Sequence, residues 1–196
     1  MIKKFLILVG LIATTSAFAQ AEKFSGLSVG LNTGFSTNST VVSSETITLG
    51  SNSTPLNFDS TYSFMISPSS TLGVGLTYDL SNTVLYKGTS GDGIIGATSW
   101  KLKNHYSINF EPGYVIRDDS LAYAKVAYHS GKSSVLTVNK NTSGWGYGFG
   151  AKFNVDKNLY LKIEAQYVIY DSFAYSSSNN ISHKSTLGTI GIGYKF

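Results

Sequence analysis

Cysteine is absent from all 196 residues, so no disulfide contributes to stability. Charge is scarce. Asp, Glu, Lys and Arg make up 13% of the chain, against about 25% in ordinary soluble domains. After residue 19 no apolar run approaches the ~18 residues that a membrane-spanning helix needs. No block of like charge marks a nucleic-acid surface, and the net charge is a modest +4. The Gly-x-Gly pairs open no helix, so they are not nucleotide-binding loops. These absences exclude a disulfide scaffold, a helical membrane protein and a nucleic-acid binder.

What is present begins with residues 1–19. Lys3 and Lys4 precede an apolar stretch, Phe5 to Ala13, and then Thr14, Thr15, Ser16 and Ala17-Phe18-Ala19. That order predicts a signal peptide cleaved after Ala19, with the remaining domain at 20–196. The apolar stretch is too short for a permanent anchor. Losing Lys3 and Lys4 takes the net charge from +4 to +2 (4 − 2).

The rest alternates with period 2, which predicts strands. Phe24–Ser36 sets Leu27, Val29, Leu31, Thr33 and Phe35 against Ser28, Gly30, Asn32 and Gly34. Ser70–Leu80, His105–Ile116, Leu121–His129, Gly144–Asn154, Leu159–Tyr170 and Ser185–Phe196 follow the same rule. An eighth strand is expected to begin near Val84, after a tight turn at 80–83. Further short turns are expected at 117–120 and 154–158. Long polar loops are expected at 37–69, 88–103, 130–143 and 172–184. With no spanning helix and strands everywhere, a closed barrel is the one way into lipid, because hydrocarbon satisfies no free backbone groups. The fold expected is all-β: an eight-stranded antiparallel up-and-down transmembrane β-barrel, termini on the short-turn side.

A periplasmic β-sandwich would alternate too, with its apolar face turned inward. Three features favour lipid. The polar faces are rich in Gly, Ser, Asn and Thr, which suits strands crowded around a narrow lumen. Aromatics mark strand ends, and Tyr78, Tyr106, Tyr114, Trp145, Phe153 and Tyr194 are expected in the membrane girdles. Tyr106 and Tyr114, like Trp145 and Phe153, lie eight residues apart. Tilted strands cover roughly 20 Å along the membrane normal over that length. Finally, Ile190, Ile192, Tyr194 and Phe196 alternate to the last residue.

Three segments carry a family resemblance: Leu72-Gly73-Val74-Gly75-Leu76-Thr77-Tyr78-Asp79-Leu80, Leu121-Ala122-Tyr123-Ala124-Lys125-Val126-Ala127-Tyr128 and Thr189-Ile190-Gly191-Ile192-Gly193-Tyr194-Lys195-Phe196. Phe24 to Phe196 resembles the OmpA/OmpX-type, opacity-protein-like small outer membrane β-barrels, members of the outer membrane protein β-barrel domain family. The resemblance implies the outer membrane of a Gram-negative bacterium. It implies outer membrane lipid and the barrel assembly machinery as partners. Ile190, Ile192, Tyr194 and Phe196 would form the C-terminal assembly signal. The peptidoglycan-binding domain of full-length OmpA has no counterpart, so anchoring to peptidoglycan is not implied.

Inward-facing charges are expected to form a lumen network of Asp79, Lys87, Glu111, Lys125, Lys152, Lys162 and Glu164, because buried charges must be paired. Glu111 and Lys125 are symmetric about Asp118, which sets them opposite each other in a hairpin. His105 and His129 lack a third ligand for a metal. His183 and Ser185 have the His-x-Ser spacing of lipid A deacylases, but no Glu follows them. No catalytic, cofactor or metal site is therefore expected. The expected role is structural or surface-interactive, as for a surface antigen, with a ligand met through the long outer loops. A narrow porin-like channel is the first alternative, and a lipid-modifying enzyme the second.

Overall fold

The computed structural model describes residues 20–42, 47–87, 99–135, 138–176 and 179–196. The expected signal peptide at 1–19 lies outside the described residues. A 3-10 turn, Ala21–Phe24, leads into eleven strands: β1 Gly26–Val42, β2 Ile47–Ser53, β3 Leu56–Ser67, β4 Ser70–Asp79, β5 Thr83–Lys87, β6 Ser99–Arg117, β7 Ser120–Val135, β8 Val138–Asn154, β9 Leu159–Tyr170, β10 Phe173–Ser176 and β11 Asn179–Lys195. All pairings are antiparallel, and β1–β3–β4–β6–β7–β8–β9–β11 closes on itself through β11–β1. The result is an eight-stave up-and-down barrel with no open edge along the staves. The shorter β2, β5 and β10 extend three staves at the outer end, against β1, β6 and β11.

The barrel is apolar outside and polar inside. Leu31, Phe35, Tyr78, Tyr106, Tyr114, Trp145, Phe149, Phe153, Tyr194 and Phe196 are exposed, whereas Asn32, Asp59, Thr61, Asn109 and Lys125 are buried. This inverts a water-soluble domain. It fits a lipid-facing band of side chains around a narrow polar interior.

Several sequence expectations are corrected. The segment 37–69 is not a loop. It contains the outer end of β1, then β2 and β3. In β3 the outward Phe58, Tyr62 and Phe64 alternate with the buried Asn57, Asp59, Thr61 and Ser63. Serine, threonine and asparagine, read as loop composition, are here an inward strand face. The second correction concerns Val84. Residues 80–83 are no periplasmic turn, because β5 runs on in the direction of β4 and pairs with the same strand, β6. The chain bulges there, with the Leu80 and Ser81 amides both donating to the Leu56 carbonyl. The remaining tight turn is Ser67–Ser70, centred on Pro68 and Ser69. Proline suits a turn there because it donates no backbone hydrogen bond. Segments 130–143 and 172–184 are likewise mainly strand in their described parts.

Candidate functional site

The lumen is built in layers. At the periplasmic end the 3-10 turn folds into the mouth, and Ala21 and Phe24 pack on Val115, Leu121 and Tyr123. The Ala21 amide donates to the Pro68 carbonyl at 3.0 Å. This apolar plug rests on a layer of paired charges.

In that layer Lys162 Nζ lies 2.8 Å from Asp59 Oδ1, and Lys152 Nζ lies 3.1 Å from Glu111 Oε2. Lys125 Nζ lies 3.0 Å from Glu164 and 3.7 Å from Glu111. Register does the assembly: β6 and β7 put Asn109 opposite Ala127 and Gly113 opposite Tyr123, so Glu111 and Lys125 face each other between them. Tyr123 donates to Glu164 at 2.8 Å, joining plug and charge layer. Three carboxylates (Asp59, Glu111, Glu164) meet three ammonium groups (Lys125, Lys152, Lys162), so the layer is electrically balanced. Removing water from such groups is costly unless each has a partner. Several wall glycines make room for the inward rings. A Cβ on Gly150 would lie 2.5 Å from Tyr123 Cζ, and one on Gly193 2.6 Å from Tyr160 Cε1.

Above the charges lies a chain of hydrogen bonds. His105 Nδ1 donates to Asp79 Oδ2 at 2.8 Å. His129 Nδ1 lies 3.0 Å from His105 Nε2, and the Tyr170 hydroxyl lies 3.3 Å from the same nitrogen. Gln166 Nε2 donates to His129 Nε2 at 3.1 Å. With each imidazole donating from Nδ1 and accepting at Nε2 the chain runs in one direction, and His129 and Tyr170 share the single lone pair of His105 Nε2. The rings stack 5.1 Å apart. Beside them Asp79, His105, Lys125, His129, Lys162 and Glu164 help line a cavity of about 20 Å³, room for about one water.

The outer end is closed by a second apolar cluster: Leu85, Tyr86, Trp100, Leu102, Val168, Tyr170 and Ile181. Trp100 has no exposed surface and packs edge-on against Tyr86 and His183. The cap exists because of one extra residue in β6. Lys103 pairs with Lys132 but Tyr106 pairs with Ser130, so β6 uses three steps where β7 uses two. Asn104, at φ +48°, takes up the difference as a bulge, and asparagine tolerates that left-handed backbone. Without the bulge, strict alternation from Tyr106 would point Trp100 and Leu102 outward. With it they turn inward, and Lys101 and Lys103 are exposed.

The expected residues are therefore distributed as follows. Glu111, Lys125, Lys152, Lys162 and Glu164 meet in the charge layer, and Asp79 joins the histidines instead. Lys87 does not enter the lumen: it is exposed at the outer end of β5, and its expected place in the network is corrected. Asp59 belongs to β3, whose composition predicts a loop, so it is absent from the expected network. The six expected girdle residues, and Ile190, Ile192 and Phe196, are all exposed on the outside. His183 and Ser185 are buried apart from each other's chemistry. Nδ1 of His183 lies 2.8 Å from the Thr40 hydroxyl, and Ser185 donates to Asn38 Oδ1 at 2.5 Å. Among the described residues no three His, Asp or Glu side chains form a group able to hold a metal.

A closed antiparallel ring, apolar outside and ion-paired within, defines a transmembrane β-barrel of the outer membrane type. The chain belongs to the outer membrane protein beta-barrel domain family, whose model matches residues 5–196. Three solved structures share the fold. Ail, the attachment invasion locus protein of Yersinia pestis, in complex with the heparin analogue sucrose octasulfate, is 14% identical over 87% of this chain and 99% of its own, with a TM-score of 0.51. Neisserial surface protein A is 16% identical over 88% and 98%, with a TM-score of 0.52. OprG of Pseudomonas aeruginosa is 12% identical over 88% and 97%, with a TM-score of 0.50. No curated protein matches the sequence. The family places this protein in the outer membrane of a Gram-negative bacterium.

Proposed function

We propose that this barrel is a non-enzymatic, non-conducting scaffold that works through its outer end, in a structural or surface-interactive role. The observation that carries the reading is the doubly closed lumen. Apolar clusters stop both mouths, and the cavity between them holds about 20 Å³. A solute path would have to break the balanced ion pairs as well as both plugs. What remains accessible is the outer surface, where β1, β2, β5, β6, β7 and β8 rise above the girdle. Binding commonly resides on such projections from a rigid frame.

The rival reading is a narrow channel, and the polar cavity beside Lys125 and Glu164 favours it. Planar bilayers decide between them. The folded barrel is expected to show no steady conductance. Stable unitary currents that change in Glu111→Gln would overturn the closed-scaffold reading. A surface role further predicts that shortening the chain between β1 and β2 and between β5 and β6 leaves the barrel folded while reducing attachment of whole cells to their surfaces. The lipid-modifying alternative finds little support, since His183 and Ser185 bond to Thr40 and Asn38. It predicts altered lipid A on expression, abolished by His183→Ala.

A further inference from the structure

Four lysines stand on the outside of β5, β6 and β7 above the aromatic girdle: Lys87, Lys101, Lys103 and Lys132, all exposed. Lys103 pairs directly with Lys132. Directly opposed side chains sit ~5 Å apart at Cβ, and like charges there are destabilising. Lys101 follows two residues along the same face, ~7 Å further. Three of the lysines flank Ser99, Asn104, Ser130 and Ser134, and no carboxylate occurs in 83–87, 99–105 or 129–135. Of the described acids at this end, Asp79 faces the lumen, where it bonds to His105, and Asp171 is held by Ser143 on the β8–β9 side.

The opposite rim is different. There Glu22, Asp118, Asp119 and Asp156 are interspersed with Lys23, Arg117, Lys157 and Lys195. Among the described residues, then, exposed lysines without an acid beside them on the same face cluster on the outer side.

Height fixes what such a face meets. Lys132 lies four residues beyond Tyr128, whose ring packs against the girdle Trp145, and four residues are roughly 10 Å along the membrane normal for a tilted strand. A lysine stem reaches back several ångströms toward the interface. The ammonium groups therefore lie at the level of the lipid headgroups, ~5–8 Å beyond the hydrocarbon. The Asn104 bulge puts them there, since it turns Lys101 and Lys103 from lumen to exterior.

We propose that Lys87, Lys101, Lys103 and Lys132 form a docking face for phosphate-bearing lipid headgroups of the outer leaflet. A bridging phosphate would relieve the Lys103–Lys132 opposition. The claim is separate from the closed-scaffold reading: a conducting barrel could carry the same face.

The test uses the folded mature chain in phosphatidylcholine nanodiscs, titrated with bisphosphorylated lipid A and, in parallel, with dephosphorylated lipid A. Lipid A co-purifying with the barrel after the discs are dissolved in mild detergent, and the heat-modifiable gel shift of the barrel, are the readouts. Phosphorylated lipid A is expected to be retained and to raise the unfolding temperature; the dephosphorylated form is not. Changing all four lysines to Gln should weaken retention by about fivefold per lysine, the usual share of one such residue near an anionic surface. The four-Arg version should restore it, and Lys140→Gln, on the inward side of β8, should change nothing. The gel shift shows that each variant is folded. Equal retention by wild type and four-Gln barrel, or by both lipids, would overturn the proposal. So would a soluble sulfated oligosaccharide that binds these lysines while lipid A does not.

Discussion

Asp59 of β3 and Lys162 of β9 meet at 2.8 Å across the lumen, 103 positions apart in the chain. Asn32 also donates to this carboxylate. Both charged side chains are about nineteen-twentieths buried, at 4% and 5% exposure, so neither can turn to water. Asp59→Ala should lower unfolding stability by about 3–5 kcal/mol, because it strands a buried ammonium. Adding Lys162→Met should recover most of that loss, since an apolar pair of similar volume needs no partner. Urea unfolding in lipid vesicles checks both, and a double variant no more stable than Asp59→Ala would refute the account.

The closing seam of the barrel depends on a glycine. A Cβ on Gly34 of β1 would lie 2.8 Å from the Thr189 Cα of β11 and against the Gly188 backbone, none of which can rotate away. At Gly50, on the peripheral β2, the nearest atom would be 3.8 Å off. Gly34→Ala is expected to cost about 2 kcal/mol by overpacking, whereas Gly50→Ala should be close to neutral. Comparison of the two urea midpoints is the measurement, and equal midpoints would show that strand closure tolerates the extra atom.

Much of this architecture was readable from alternation alone. Lipid contact makes the outward residues uniformly apolar, so Leu72, Val74, Leu76 and Tyr78 declare their strand without help. The inward face was harder to read. In β3 it is Asn57, Asp59, Thr61 and Ser63, a set chemically identical to a loop, and only the outward Phe58, Tyr62 and Phe64 distinguish it. The Glu111–Lys125 opposition followed from hairpin symmetry, which is local. The Lys162–Asp59 pair spans four staves of sequence and needed the closed ring. Lys87 falls outside the lumen because the chain, which the sequence predicts to turn at 80–83, only bulges there. The cap at Trp100 was hidden for a related reason: period-2 counting fails at a bulge, and nothing but an asparagine marks this one.

That bulge gives a test of its own. Deleting Asn104 should restore strict alternation and send Trp100 and Leu102 outward, with Lys101 and Lys103 turned into the lumen. Trp100 is wholly buried in the native cap, and losing a buried tryptophan from such a cluster costs about 3–5 kcal/mol. In a Trp145→Phe background the emission reports Trp100 alone, because the chain has two tryptophans. Acrylamide quenching is expected to rise severalfold on deletion while the gel shift shows a barrel still closed below. Unchanged quenching would mean that the cap, not the bulge, sets the register of upper β6.

The final strand separates folding from delivery. Phe196 is 69% exposed. Its ring sits 5.1 Å from that of Tyr194, and its amide donates to the Leu27 carbonyl at 2.9 Å. Losing one such bond costs the barrel about 1 kcal/mol. Deleting Phe196 should therefore leave refolding into lipid vesicles almost unchanged. If Ile190, Ile192, Tyr194 and Phe196 are read by the barrel assembly machinery, the same deletion should cut the heat-modifiable protein in cell envelopes severalfold, with unassembled chain accumulating in the periplasm. Equal assembly of the two chains in cells would remove Phe196 from that signal. A matching loss in purified vesicles would instead make it a structural residue of the β1–β11 seam.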